Sequence, residues 1–179
     1  GYLSPTSAEH VEEQLGNRID MVIDGGNCTI GVESTVIDMT ADVPTILRPG
    51  GLEKERIEEV IGEVRALDRK DKKISAPGQM ENHYAPSRSL FIVDEVTEAM
   101  AEEKRCGLLL FKRNEEMEKK NTNIEVLSES GDLLEASSRL FHCLHLLDKR
   151  EIDKIYAERV PETGLGIAIM DRLYKASKK

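Results

Sequence analysis

The sequence predicts an α/β protein, because strand-like and helix-like segments alternate along most of its 179 residues. Short apolar runs of strand length are separated by stretches whose apolar residues recur at helical spacing. After residue 90 the alternation is regular, which favours a Rossmann-like, doubly wound parallel sheet. The predicted strands there are LFIV, CGLLLF, IEVLS and IDKIYA, and the predicted helices cover 95–104, 114–120, 131–148 and 165–176.

The longest of these helices, 131–148, has one apolar stripe that we expect to face the core. The stripe consists of Leu133, Leu140, Phe141, Leu144 and Leu147.

The first 63 residues give similar signals over shorter segments. Thr6 and Glu9 form a capping box, which predicts a helix that ends at Gly16. RIDMVID, ESTVIDM and TILRP are predicted strands, and DGGN after the first is a predicted turn. A second helix is predicted from about Leu52 to Gly62. Its apolar residues Ile57, Val60 and Ile61 are expected to be buried.

The segment 64–89 between these parts shows no helical or strand periodicity. Charges cluster near its start, and the tract ISAPGQMENHYAPSRSL then brings together prolines, a glycine, a histidine and a tyrosine. At about 25 residues the segment is longer than an ordinary connection, so we expect a linker or a functional loop. The predicted organisation is a first domain over 1–63, a linker over 64–89 and a second domain over 90–179.

Charge and composition exclude several classes of protein. The net charge is −9, which argues against a broad nucleic-acid surface, since phosphate binding relies on clustered Lys and Arg. No apolar run approaches the ~20 residues that cross a bilayer, and no charged-then-apolar leader opens the chain. Cys28, Cys106 and Cys143 are odd in number and widely spaced, so we expect reduced thiols in a soluble cytoplasmic protein.

Three polar motifs in the first part could contact an anionic ligand. Ser4 and Thr6 stand at a predicted helix N-terminus, which favours anions, although an ordinary N-cap would use the same residues. Ser34 in GVESTV can present its hydroxyl on one face of a strand, or be a plain edge residue. Arg48 ends the strand of ILRPGG, where its planar guanidinium can grip phosphate or carboxylate, or lie on the surface before a turn.

Two motifs in the second part give weaker signals. His142 and His145 have an i, i+3 spacing that can ligate a metal, but no third ligand is placed to complete a site. Gly164 and Gly166 precede the last helix as in a dinucleotide fingerprint, but Ile169 occupies the place of the third glycine. We therefore expect no metal site here, and a tight turn into the helix.

The order of these motifs is more specific than any one of them. SPT at a helix start, GVESTVID, LRPGG and APGQMENHYAP, in this order, closely resemble the later part of a YrdC-type domain and the linker after it. GDLLEASSRLFHCLHLLD and IYAERVPETGLGIAIMDRLYKAS resemble the C-terminal domain of two-domain members of that family. These members are the L-threonylcarbamoyladenylate synthases, and the resemblance covers nearly the whole chain.

The resemblance implies an enzyme that condenses L-threonine, bicarbonate and ATP into threonylcarbamoyl-AMP and releases pyrophosphate. The product would pass to tRNA-modifying threonylcarbamoyl transferase proteins. By their places in the motifs, Ser4, Thr6, Arg48 and Tyr84 resemble ATP-binding residues, and Ser34 resembles an L-threonine-binding residue. Mg²⁺ is expected with ATP, and the linker would close as a lid through Tyr84. Such a site needs no covalent nucleophile, because positioning and charge stabilisation suffice.

Part of the family pattern is missing. The Lys-x-Arg and Ser-x-Asn of the family's earlier half are not in place: no Ser-x-Asn occurs, and Lys54-Glu55-Arg56 lies on a later predicted helix. Together with the abrupt start at Gly1, this suggests a fragment that is inactive alone and leaves apolar surface uncovered on residues 1–65. Two alternatives stay open: a non-catalytic regulatory module that binds a nucleotide or a protein, and a carbamoyl-transfer protein of another pathway, such as hydrogenase maturation.

Overall fold

A computed structural model describes residues 3–66 and 84–178, and the structural statements below refer to these two parts. The strands are β1 Val36–Asp38, β2 Thr45–Arg48, β3 Arg65–Ala66, β4 Ser89–Val93, β5 Cys106–Lys112, β6 Ile124–Ser128 and β7 Lys154–Glu158. The helices are α1 Ala8–Leu15, α2 Lys54–Ile61, α3 Glu98–Ala101, α4 Glu115–Lys120, α5 Leu133–Asp148 and α6 Leu165–Ala176, with a 3₁₀ turn at Gly16–Arg18. Most of the predicted linker, 67–83, lies outside the described residues.

The second part is built on a four-stranded sheet in the order β4-β7-β5-β6, in which every pair of neighbours is parallel. Alternate residues of β5 face opposite sides of this sheet. Leu108 and Leu110 pack in a cluster with residues of α3 and α4, whereas Leu109 packs with α5 and α6. Helices therefore cover both faces, which confirms the predicted α/β fold with a Rossmann-like parallel sheet.

The elements of this part agree with the prediction except at α3. That helix covers only Glu98–Ala101 instead of 95–104. It ends early because the chain turns before β5, where Arg105 adopts a left-handed φ of 58° that a helix cannot continue through. In α5 the predicted apolar stripe is buried, apart from Leu133, which is half-buried.

The first part contains a small sheet in the order β1-β2-β3, antiparallel between β1 and β2 and parallel between β2 and β3. Strand β3 falls inside the predicted linker but pairs with β2, and the preceding Val64 is buried with Ile46 and Ile57. Ile57 is buried as predicted. The prediction for Val60 and Ile61 was wrong, because both are exposed on the side of α2 that this small sheet does not cover.

The predicted strand RIDMVID is absent from the described structure. Residues 19–24 are irregular, and Met21 and Ile23 are exposed. A strand needs a neighbour to satisfy its backbone groups, and none of the described strands lies beside this segment. The predicted turn that follows is confirmed, since Gly26 has a φ of 84° and its N–H donates to the Asp24 side chain at 2.9 Å.

The start of α1 also differs from the prediction. Its N-cap is Ser7, whose hydroxyl accepts a hydrogen bond from the His10 N–H at 3.3 Å, and not Thr6. Thr6 is buried one residue earlier, so the pairing of Thr6 with Glu9 as a capping box was wrong. The helix ends before Gly16, as predicted.

The two described parts share one core. Leu3 and Val32 of the first part belong to the same buried cluster as α5 and α6. Gly31 lies directly against α5, where a Cβ atom would come within 2.5 Å of the Ser137 carbonyl oxygen. None of the helices in the described ranges has both the length and the apolar composition of a membrane span.

Candidate functional site

Ser34 and Arg48 are in direct contact. The pairing of β1 with β2 places Arg48 opposite Val36, so its guanidinium reaches back along the neighbouring segment. Its Nη2 donates to the Ser34 carbonyl oxygen at 2.9 Å and to the Ser34 hydroxyl at 3.2 Å. Ser34 lies in extended chain just before β1, and not within the strand as predicted. Two of the predicted site residues are thus brought together.

A close backbone approach fixes this contact. The Gly51 N–H donates to the Glu33 carbonyl oxygen at 2.8 Å. At Gly50 a Cβ atom would lie 2.3 Å from the same oxygen and 2.4 Å from the Ser34 carbonyl carbon. Only glycine allows the chain after Arg48 to lie this close to the chain around Ser34.

Glu33 receives hydrogen bonds from two parts of the chain. The Ser4 hydroxyl donates to its Oε1 at 2.5 Å, and Arg172 Nε, from α6, donates to its Oε2 at 2.7 Å. Burial alone would raise the pKa of the Glu33 carboxyl, but Arg172 and Ser4 together hold that pKa below its ordinary value. Glu33 is therefore a carboxylate at neutral pH, and one of the predicted residues, Ser4, contacts it.

Arg172 is the most deeply buried cation of the described structure, with a side chain that is 0% exposed. Besides Glu33, its Nη1 donates to the Pro49 carbonyl oxygen at 3.0 Å and to Asp171 Oδ2 at 2.5 Å. Burial disfavours the charge, but the two carboxylates outweigh burial and raise the pKa of the guanidinium. Its Nη2 is buried and has no hydrogen-bond partner within the described ranges.

Tyr84 lies beneath this guanidinium, with its ring centroid 5.1 Å from Arg172 Cζ. The ring is 1% exposed and stands 5.5 Å from the ring of Phe141 on α5. Burial is the main cause of a raised pKa for its phenol; Arg172 opposes the shift, and the Glu33 carboxylate adds to it. Its φ of 70° is uncommon for a residue other than glycine and is held by the surrounding packing. Of the tract predicted to form a lid, residues up to 83 lie outside the described structure.

Thr6 faces a different group of residues. Its N–H donates to His10 Nδ1 at 3.2 Å, and its hydroxyl oxygen lies 3.4 Å from the same nitrogen. The His10 ring stacks on His145 at 3.9 Å, with His142 at 5.8 Å. Burial, followed by the charges of neighbouring groups, lowers the pKa of His10 to about 4.

The proximity of His10 to the two histidines of α5 was not visible in the sequence, since α1 and α5 are far apart along the chain. No group of metal-ligating side chains forms a metal site in residues 3–66 and 84–178.

Cations and carboxylates lie together beside Ser34 and Tyr84. Burial lowers the pKa of Lys175, and the charges of Arg172 and Arg48 lower it further, against the opposing effect of Asp171. Lys175 Nζ donates to Asp171 at 2.6 Å, the same carboxylate that Arg172 contacts. Side chains from both parts of the chain thus form one polar cluster, in which the carboxylates of Glu33 and Asp171 offset part of the positive charge.

Sequence reasoning did not select Glu33 or Arg172, although both lie inside quoted motifs. Arg172 gave a signal that could have been used. It falls on the buried face of α6 with Leu165, Ile169 and Leu173, and an arginine is almost never fully buried unless it is paired.

The fold and site define an α/β protein in which a buried arginine and carboxylate join two parts of the chain. A family described as "Threonylcarbamoyl-AMP synthase, C-terminal domain" matches residues 52–178, and one described as "Telomere recombination" matches residues 1–50. The chain therefore belongs to the Sua5/YrdC family of threonylcarbamoyl-AMP synthases.

Relatives agree with this assignment. The chain is 41% identical over 188 residues to the threonylcarbamoyl-AMP synthase of Pyrococcus abyssi, covering 99% of this chain and 55% of that protein. It is 37% identical over 188 residues to the Bacillus subtilis protein of the same name, covering 99% and 54%. The chain spans about half the length of the curated relatives it matches.

Solved structures give the same picture. A crystal structure of P. abyssi Sua5 complexed with L-threonine matches with a TM-score of 0.84 at 39% identity, over 99% of this chain and 55% of that one. A P. abyssi Sua5 variant with a histidine and the tyrosine after it replaced by alanine matches with a TM-score of 0.84 at 38% identity, over 98% and 54%.

Proposed function

We propose that this chain is part of an L-threonylcarbamoyladenylate synthase, which condenses L-threonine, bicarbonate and ATP into threonylcarbamoyl-AMP and pyrophosphate. The observation that carries the proposal is the contact between Arg48 and Ser34 beside the buried Arg172. The P. abyssi structure that this chain resembles was solved with L-threonine, which supports an amino-acid site in the family fold.

In this proposal the chain's own residues bind and orient the reactants. Arg48, Ser4, Thr6 and Tyr84 contact ATP, which is accompanied by Mg²⁺, and Ser34 contacts L-threonine. The amine of threonine attacks the carbon of bicarbonate, and a C–O bond breaks to release water and leave a carbamate. A carbamate oxygen then attacks the α-phosphorus of ATP while the bond to pyrophosphate breaks. Cations and hydroxyls stabilise the charge that develops on the phosphoryl oxygens, so no covalent nucleophile is needed. A lid through Tyr84 would exclude water from the labile carbamate.

We place the reaction in the cytoplasm, where free thiols persist; all three cysteines are free in the structure. The product is handed to threonylcarbamoyl transferase proteins that modify tRNA, so this acidic chain need not bind tRNA broadly. Because Ser-x-Asn is missing and Lys-x-Arg occurs only on α2, we expect the 179-residue chain to be inactive alone.

The test is pyrophosphate release by the full-length protein, which should require both L-threonine and bicarbonate. Arg48→Ala is expected to lower kcat/KM by about 10- to 100-fold, the worth of a hydrogen bond to a charged group. Tyr84→Phe, which keeps the buried ring, should lower it in the same direction. Arg56→Ala is the control, because it removes an exposed ion pair with Glu59 on α2.

Wild-type rates in both Arg48→Ala and Tyr84→Phe would refute the assignment of these residues. Pyrophosphate release that does not depend on threonine and bicarbonate would favour a regulatory nucleotide-binding module instead.

A further inference from the structure

We propose that Arg172 is a positioning residue, by which the second part of the chain sets the relative placement of Ser34 and Arg48. The expected effect of Arg172 on the reaction rate rests on the proposed function. Its effect on the structure can be tested without assuming that function.

The geometry places one guanidinium between two segments. Arg172 Nε donates to the Glu33 side chain at 2.7 Å, and Nη1 donates to the Pro49 carbonyl oxygen at 3.0 Å. Glu33 directly precedes Ser34, and Pro49 directly follows Arg48. Arg172 therefore joins Glu33 and Pro49, the chain neighbours of two residues that are themselves in contact.

The guanidinium is itself held from several directions. Asp171 accepts from Nη1 at 2.5 Å and is in turn held by Lys175 at 2.6 Å. The Tyr84 ring lies beneath the plane at 5.1 Å. Because the group is buried and charged, these hydrogen bonds are strong and leave it little freedom. The ammonium of lysine has three N–H donors on one nitrogen, so it lacks the planar fork whose separate nitrogens donate to Glu33 and to Pro49.

Two further contacts between the parts involve other residues. Glu53 accepts from the Leu165 N–H at 3.1 Å, and Lys149 donates to Glu13 at 2.5 Å. These contacts, with the shared core, can keep the parts associated when Arg172 is changed. We therefore expect that replacing Arg172 disturbs the alignment of segments 33–35 and 48–51 without separating the two parts of the chain.

The first experiment compares Arg172→Met and Arg172→Lys with Arg113→Met in the full-length protein. Arg113 is a matched control in the same part, because its half-exposed side chain forms ion pairs with Glu118 and Glu129. Both Arg172 variants are expected to lose about 100-fold in kcat/KM for L-threonine, with a fall in kcat, because misplaced groups slow the chemical step. Arg113→Met should stay within about twofold. Full activity in Arg172→Lys would show that charge alone suffices and would overturn the inference.

The second experiment measures amide hydrogen exchange and is independent of activity. The Gly51 N–H, which donates to Glu33, should exchange at least about tenfold faster in Arg172→Met, while amides in β5 and β7 keep their wild-type protection. A uniform increase across both parts would indicate a general stabilising role, and no increase at Gly51 would show that Arg172 does not hold the segments; either result overturns the inference. If the wild type shows no threonine-dependent pyrophosphate release, the proposed function fails, and the exchange result still decides the role of Arg172.

Discussion

Gly50 is the residue at which the candidate site has least room. A methyl group there would meet backbone atoms of Glu33 and Ser34 at 2.3 and 2.4 Å, and backbone cannot rotate away as a side chain can. We expect Gly50→Ala to lower the free energy of unfolding by about 1–3 kcal/mol, the usual cost of overpacking. Gly25→Ala is the control, since no atom lies within 4 Å of its added Cβ. Urea unfolding of both variants tests this, and equal midpoints would contradict it.

Single residues could be selected from the sequence where the local pattern was informative. Ser34 was a candidate because its hydroxyl could lie on one face of a predicted strand, and Arg48 because it ended another. The structure puts the two side chains in contact. Glu33 was passed over because its partner Arg172 is 139 positions away. Long-range ion pairs of this kind leave no periodic signal. The sequence does show that Arg172 falls among the apolar residues of α6. This observation is useful only once the buried face of the helix is known.

At the scale of elements, α1 meets α5 through histidines, which predicts a pH dependence. His10 has a pKa of about 4 in the folded protein, below the ordinary value of about 6.5. Burial lowers this pKa most, the charges of His145, His142 and Lys149 lower it further, and the charge of Glu13 raises it. The unfolded chain therefore takes up a proton first as the pH falls from about 6.5 to 4. Stability should fall through this window by at most about 3 kcal/mol on account of His10.

Urea unfolding at pH 7 and pH 5 measures this loss. His10→Asn, whose Oδ1 can take the place of Nδ1 as acceptor for the Thr6 N–H and which does not titrate, should show a smaller difference between the two pH values. The same difference in the wild type and in His10→Asn would rule out His10 as the group responsible.

Elements were predictable where they pack against their own neighbours. The strands β4 to β7 and the helices α5 and α6 follow their apolar periodicity because each is covered by the sheet or helices beside it. RIDMVID has the composition of a strand, but composition does not supply the partner strand that its backbone would need. Similarly, Thr6 and Ser7 both suit an N-cap, and the buried contact of Thr6 with His10 decides between them.

At the scale of the whole molecule, apolar residues are distributed unevenly. The first part has a core of its own consisting of Ile46, Ile57 and Val64, whereas Ile23 is 86% exposed. We expect Ile23→Lys to change the free energy of unfolding by no more than about 0.5 kcal/mol. Ile57→Ala, at a buried position, should lower it by about 2–5 kcal/mol. Calorimetry or urea unfolding compares the two, and a large loss in Ile23→Lys would mean that this segment is packed in solution.

The strand order β4-β7-β5-β6 has a consequence for how the protein is made. Strand β7, last in the chain, lies between β4 and β5, so among the described strands β4 has no neighbour until β7 has left the ribosome. During synthesis β4 therefore stays unpaired with its native neighbour β7, while β5 and β6 can already pair with each other. A pause in translation before β7 would therefore prolong the time during which the unpaired edge of β4 is accessible to chaperones. We expect synonymous codons near the start of β7 to influence the yield of folded protein.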